Sequence, residues 1–141
     1  MSKNTLTYFT KDLRARPSSF TSADTTVAKQ IFDPSAEGSW VDGIVITSTD
    51  TVARTVLIQI NNASVISLLG HINVPAGAGT DGSTPAVSGL NRGNLPWLKI
   101  DANGNPYINL NYNMNVEAKM LATITAAKTI TIAVLGANYD A

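Results

Sequence analysis

The sequence predicts an all-β domain, an antiparallel β-sandwich, and two observations lead there. From Trp40 onward, apolar residues recur at every second position through long stretches, the period of a strand with one buried face. Turn-forming clusters interrupt these runs about every ten residues, as in sandwiches and barrels. Helix content is expected to be small.

Residues 1–38 are rich in Ser, Thr and charge and are broken by Arg14-Ala15-Arg16-Pro17-Ser18-Ser19 and by Asp33-Pro34-Ser35. They read as an extended N-terminal arm, with one possible strand over Thr25 to Phe32, attached to a sandwich domain over residues 39–141. Trp40 to Thr49 is rich in β-branched residues and ends in the turn Ser48-Thr49-Asp50. Thr51 to Ile60 alternates, with Val52, Val56, Ile58 and Ile60 on one face and Thr55 and Gln59 on the other. Asn61-Asn62 is a turn signal, and Ser64 to Ile72 forms a third run. Residues 73–96, rich in Gly and Pro, show no periodicity and are expected to be a flexible loop. Asn103-Gly104 predicts a hairpin turn. Pro106 to Ile124 alternates almost without a break, but it exceeds normal strand length, so a turn or bulge is expected near Asn111 to Asn115. Thr129 to Leu135 closes the chain, with Ile130, Ile132 and Val134 inward.

At 141 residues, the chain has room for one core. Lys+Arg and Asp+Glu are both 10, so the formal net charge is zero and the basic excess of a nucleic-acid binder is missing. Only 14% of residues are charged, against roughly 25% in an ordinary domain, and such a surface tends to self-associate or to dock on protein. There is no cysteine, which removes disulfides and thiolate metal sites and leaves the redox compartment open. No apolar run reaches membrane-helix length, and Met1 to Thr10 does not read as a signal peptide. Synthesis in the cytoplasm, with neither nucleic acid nor membrane as partner, is the expectation.

Sites of chemistry are weakly supported. His71 is the single histidine, and no nucleophile motif accompanies it, so a structural or surface role is expected. The glycines of Pro75 to Pro85 match neither phosphate-binding spacing. Asp101-Ala102-Asn103-Gly104-Asn105 begins like a calcium loop, but its glycine comes fourth and position twelve is Tyr112, so a hairpin turn is favoured. Asn109, Asn111, Asn113 and Asn115 form a polar row facing solvent or another subunit; with Tyr107 on the same face, it also suits sugar hydroxyls. Trp40 and Trp97 are assigned to the core, with an interface role for Trp97 as the other choice. The acidic residues form no distinctive pair for glycoside hydrolysis. No catalytic, cofactor-binding or metal residue is assigned, no cofactor is expected, and the chain is expected not to be an enzyme.

Asn91-Arg92-Gly93-Asn94-Leu95-Pro96-Trp97-Leu98, Asp101 to Leu110, Thr123 to Ile130, and Gly136-Ala137-Asn138-Tyr139-Asp140 together resemble small virion proteins of tailed bacteriophages, of the head decoration or cement type. The resemblance covers roughly residues 87–141, and residues 1–38 have no counterpart in it. It implies a sandwich or jelly roll, a homo-oligomer with a trimer favoured, the major capsid protein as partner, and a place on the outer surface of the phage head. Residues 1–38 would then clamp a neighbouring copy or the shell. The alternative functions are a carbohydrate-binding or host-attachment module of a phage fibre, which calls for an exposed aromatic beside the asparagine row, and a small hydrolase, which calls for acids gathered round His71.

Overall fold

A computed structural model describes residues 10–24 and 26–139, and among them ten strands and no helix form. These are β1 (Thr10–Phe20), β2 (Lys29–Phe32), β3 (Ser39–Ser48), β4 (Arg54–Asn62), β5 (Val65–Val74), β6 (Val87–Ser88), β7 (Lys99–Ile100), β8 (Pro106–Leu110), β9 (Met114–Met120) and β10 (Ile130–Tyr139). Sheet A runs β1-β10-β3-β8-β7, with β6 also paired to β3, and sheet B runs β2-β9-β4-β5. All pairings are antiparallel, and four of them nest: β1 with β10, β2 with β9, β3 with β8, β4 with β5. The two sheets pack face to face as a β-sandwich.

The core follows from the alternation. Ile44 and Ile46 of β3, Ile130, Ile132 and Val134 of β10, Val56 and Ile58 of β4, and Val116, Ala118 and Met120 of β9 are all buried in one cluster. Each large side chain removed from water contributes about 1.5–3 kcal/mol before entropy is counted. The run from Pro106 divides as expected, at a turn over 111–113. The chain passes there from sheet A to sheet B, yet Ile108, Leu110, Val116, Ala118 and Met120 all still face the core. Val52 departs from expectation: β4 begins at Arg54, and Val52 lies half-exposed in the preceding bend.

The stretch expected as an arm enters the sandwich over its described part. Residues 10–20 form an edge strand paired along β10, 29–32 form the other edge beside β9, and Phe20, Ile31 and Phe32 join the common core. The remainder of the expected arm, residues 1–9, lies outside the described residues, as does Thr25 of the expected strand Thr25 to Phe32. Where the β1 and β2 edges meet, Arg14 lies 4.3 Å above the Phe32 ring and Asp33 accepts from Arg14 at 3.1 Å and from Arg16 at 2.8 Å.

Two β-bulges set which residues face outward. Between Leu135 and Gly136 the register against β3 slips, leaving Asp42 without a partner. Gly136 is needed there, since a Cβ would run into the Trp40 carbonyl. In β5, Leu69 is the extra residue between the pairs Ile58–Gly70 and Gln59–Leu68.

At the β3–β4 corner the Asp50 carboxylate is fully buried. It accepts from Arg54 Nε at 2.7 Å, Thr125 Oγ1 at 2.7 Å, Thr125 N at 3.2 Å and Val52 N at 3.1 Å, while the Asp50 carbonyl accepts from Gly77 N at 3.0 Å. The loop expected to be flexible is organised in the same way. Asp81 accepts from Thr84 N at 2.7 Å, Ser83 N at 2.9 Å and Thr84 Oγ1 at 2.8 Å, and Gly79 N donates to Thr84 O at 2.7 Å.

Asp50→Ala strands a largely buried Arg54 and is expected to cost about 3–5 kcal/mol, a fall in Tm on the order of 10 °C. Burial alone would raise the Asp50 carboxyl, but the hydrogen bonds from Thr125 and Arg54 outweigh it and hold the group well below the usual carboxylate range. Because the folded value is depressed, this stabilisation is complete above the unfolded value of about 3.9 and is lost as pH falls below it. Urea titrations from neutral pH downward should show that acid slope, and Asp50→Asn should flatten it. For the loop, the N–H groups of Thr84 and Ser83 hold Asp81 down at about 2. Asp81→Ala should therefore lower the amide protection factors of Ser83 and Thr84 by on the order of tenfold, and acidification through that value should lower the same protection factors in the native chain.

Candidate functional site

The outward surface of sheet A is built from pairing rows that cross β1, β10 and β3. Leu13 pairs with Ala137 and Ala137 with Trp40; Ala15 with Leu135 and Leu135 with Gly43; Pro17 with Ala133 and Ala133 with Val45. A fourth row, Ser19, Thr131 and Thr47, carries hydroxyls. None of these twelve residues is charged, and the unpaired Asp42 places the one described carboxylate beside them, in a groove it shares with Leu13 and Trp40. Leu13 is 89% exposed, Leu135 38% and Val45 37%. Apolar side chains are thus gathered on one uncharged, open sheet face. The outer face of sheet B differs. There Glu117 accepts from Gln59 at 2.8 Å and Asn61 at 3.2 Å, and the exposed apolar side chains are Ile66 and Leu68 on the edge strand, with Leu57 half-buried on β4.

At one end of the sheet A face, Trp40 and Tyr107 stack with centroids 4.9 Å apart and planes inclined by 25°. Tyr139 donates its hydroxyl to Asn109 Oδ1. Burial and then the neighbouring Tyr107 push the Tyr139 phenol above its ordinary value. Trp40, Asn109 and Tyr139 border a groove of ≈640 Å³ that also takes in Glu37, Leu110 and Asn111. The Trp40 indole N–H is the buried side-chain donor without a partner among the described residues.

Comparison with family models and with curated protein sequences finds no match to this chain. The site must therefore be read from its own residues.

The residues singled out in the sequence scatter. His71 is exposed on β5 opposite Leu57 and makes no ion pair or hydrogen bond with a described carboxylate. Among the described residues, no group of three His, Asp or Glu side chains is placed to hold a metal ion. The Asp101 carboxylate accepts from Asn103 N and Asn105 N, both at 2.9 Å, as a hairpin turn requires. The asparagine row does not exist as one row. Asn109 lies on sheet A, Asn111 and Asn113 in the turn, and Asn115 on sheet B.

The core assignment of both tryptophans is corrected. Trp40 faces outward because the Asp42 bulge gives the inward position to Val41. Trp97 is 45% exposed because Leu95 and Leu98 take the buried sites on either side, and its indole donates to Leu69 O at 2.9 Å. Strand β1, a third of that face, is not visible in the sequence. Its signal was the alternation of Leu13, Ala15 and Pro17 with Arg14, Arg16 and Ser18, hidden because the apolar residues face out.

An alkaline titration followed by near-ultraviolet absorbance should show one tyrosine ionising later than an ordinary phenol, and Tyr139→Phe should remove that late component.

Proposed function

We propose that the chain is a structural virion protein, not an enzyme, that decorates and stabilises a bacteriophage head through protein–protein contacts. Its partner is the major capsid protein, its place the outer surface of the head, and its own state a homo-oligomer with a trimer favoured. The observation that carries this reading is the uncharged outward face of sheet A. Displaying Leu13, Leu135 and Val45 to water opposes folding, and docking them on a partner recovers about 25 cal/mol for each Å² buried.

Docking through the face, rather than strand addition, follows from Pro17. It sits in the edge strand, where its missing N–H interrupts pairing beyond β1. Two antiparallel sheets packed face to face suit the sandwich that the resemblance of residues 87–141 to decoration proteins implies. Low charge and a fold independent of disulfides suit the same role.

Intact heads purified from a culture producing the chain should carry it at a fixed copy number, exposed to antibody on the outside. Leu13→Asp combined with Leu135→Asp should keep the native circular dichroism spectrum and weaken capsid binding by on the order of tenfold or more. Absence from intact heads, or undiminished binding by the folded double variant, overturns the proposal.

A further inference from the structure

The groove beside Trp40 has a chemistry that the assembly reading leaves unused. Its walls are rigid and aromatic. The Trp40 indole is held by its stack on Tyr107, and the Tyr139 ring is held through its hydroxyl on Asn109. Rings fixed in this way lose little entropy when a ligand packs against them. The volume of ≈640 Å³ lies within the range of small-molecule sites, roughly 300–1,000 Å³.

The polar groups at the rim are neutral or acceptors. Asn109 gives its oxygen to Tyr139 and keeps two amide N–H donors. Asn111 offers a whole exposed amide, and Glu37 an exposed carboxylate. The lining contains no Lys, Arg or His, so nothing there compensates an anionic phosphate or carboxylate. A purely apolar ligand would leave the amides and Glu37 desolvated and unpaired. A ligand with an apolar C–H face and hydroxyls round its edge satisfies both halves.

We propose that this groove binds a neutral saccharide. One sugar ring packs against the Trp40 and Tyr139 walls, its hydroxyls accept from Asn109 and Asn111, and one donates to Glu37. The site opens between the β2–β3 loop, which carries Glu37, and the β8–β9 turn, which carries Asn111. Trp40 links it to the Leu13 end of the sheet A face, so sugar binding is measured on the free chain, apart from capsid docking.

The test uses the full chain, ¹⁵N-labelled and titrated separately with glucose, galactose, mannose, N-acetylglucosamine and oligosaccharides of each. At least one should move the Trp40 indole N–H resonance saturably in the roughly millimolar range or tighter, leaving the Trp97 indole in place. Glu37→Gln and Asn111→Ala, both exposed loop changes that leave the fold intact, should each weaken binding of that sugar several-fold, while Lys119→Ala on the other sheet should not. The proposal is overturned if no sugar in the panel moves the Trp40 resonance, if binding is unchanged in both groove variants, or if glucuronic acid or a nucleotide binds more tightly than every neutral sugar.

Discussion

Asp50 stands where the chain leaves β3 in sheet A for β4 in sheet B, and its carboxylate is removed from water. An isolated charge there would be untenable. It is tolerated because Arg54 from the new strand, Thr125 from the crossover ahead of β10, and the backbone of Val52 all converge on it. Through its own carbonyl it also holds Gly77 at the start of the glycine-rich loop. The Asp50 side chain therefore ties the β3–β4 corner to the segment ahead of β10, its carbonyl ties in the glycine-rich loop, and the two sheets meet at that end in a fixed relation. The long loop is ordered because both of its halves are tied down, Gly77 by the Asp50 carbonyl and Ser83 and Thr84 by the Asp81 carboxylate.

Much of the sandwich was legible because its central strands obey period two without conflict. Ile130, Ile132 and Val134, or Val116, Ala118 and Met120, have no other good arrangement than one buried face. What was not legible is what breaks the rule. In β1 the parity is reversed: Leu13, Ala15 and Pro17 point to solvent, while Arg14 lies over Phe32 and reaches Asp33 across the meeting edges. A scan that equates apolar with buried reads such a segment as an arm. The loop was misread for a related reason. Glycine, threonine and aspartate look disordered in composition, and only the hydrogen bonds made by Asp81 show otherwise.

The candidate site was legible in its residue types but not in its geometry. Tyr107, Asn109 and Asn111 were visible as an aromatic near amides. That Trp40 and Tyr139 join them depends on β3, β8 and β10 being neighbours in sheet A, which no local pattern encodes. Asn113 and Asn115 fell away because the turn over 111–113 carries the chain to the other sheet, and a strict alternation does not reveal such a change when the inward parity survives it.

The two bulges explain why Trp40, Ile66 and Leu68 reach the surface. Counting back from Ile46 and Ile44 by twos, Trp40 belongs inside; the extra residue Asp42 gives Val41 that place and turns the indole outward. Counting back from Val74 and Ile72, Leu68 and Ile66 belong inside; the extra residue Leu69 turns both outward beside Gln59 and Asn61. In each case a strand with enough apolar residues to bury is shifted by one position so that several are displayed. Folding gains nothing from such a shift, since it exposes surface that an uninterrupted strand would have covered. Bulges at these positions are sequence features with a structural cost. Their common effect, large side chains placed among small or polar neighbours on an open sheet face, is what a binding surface requires.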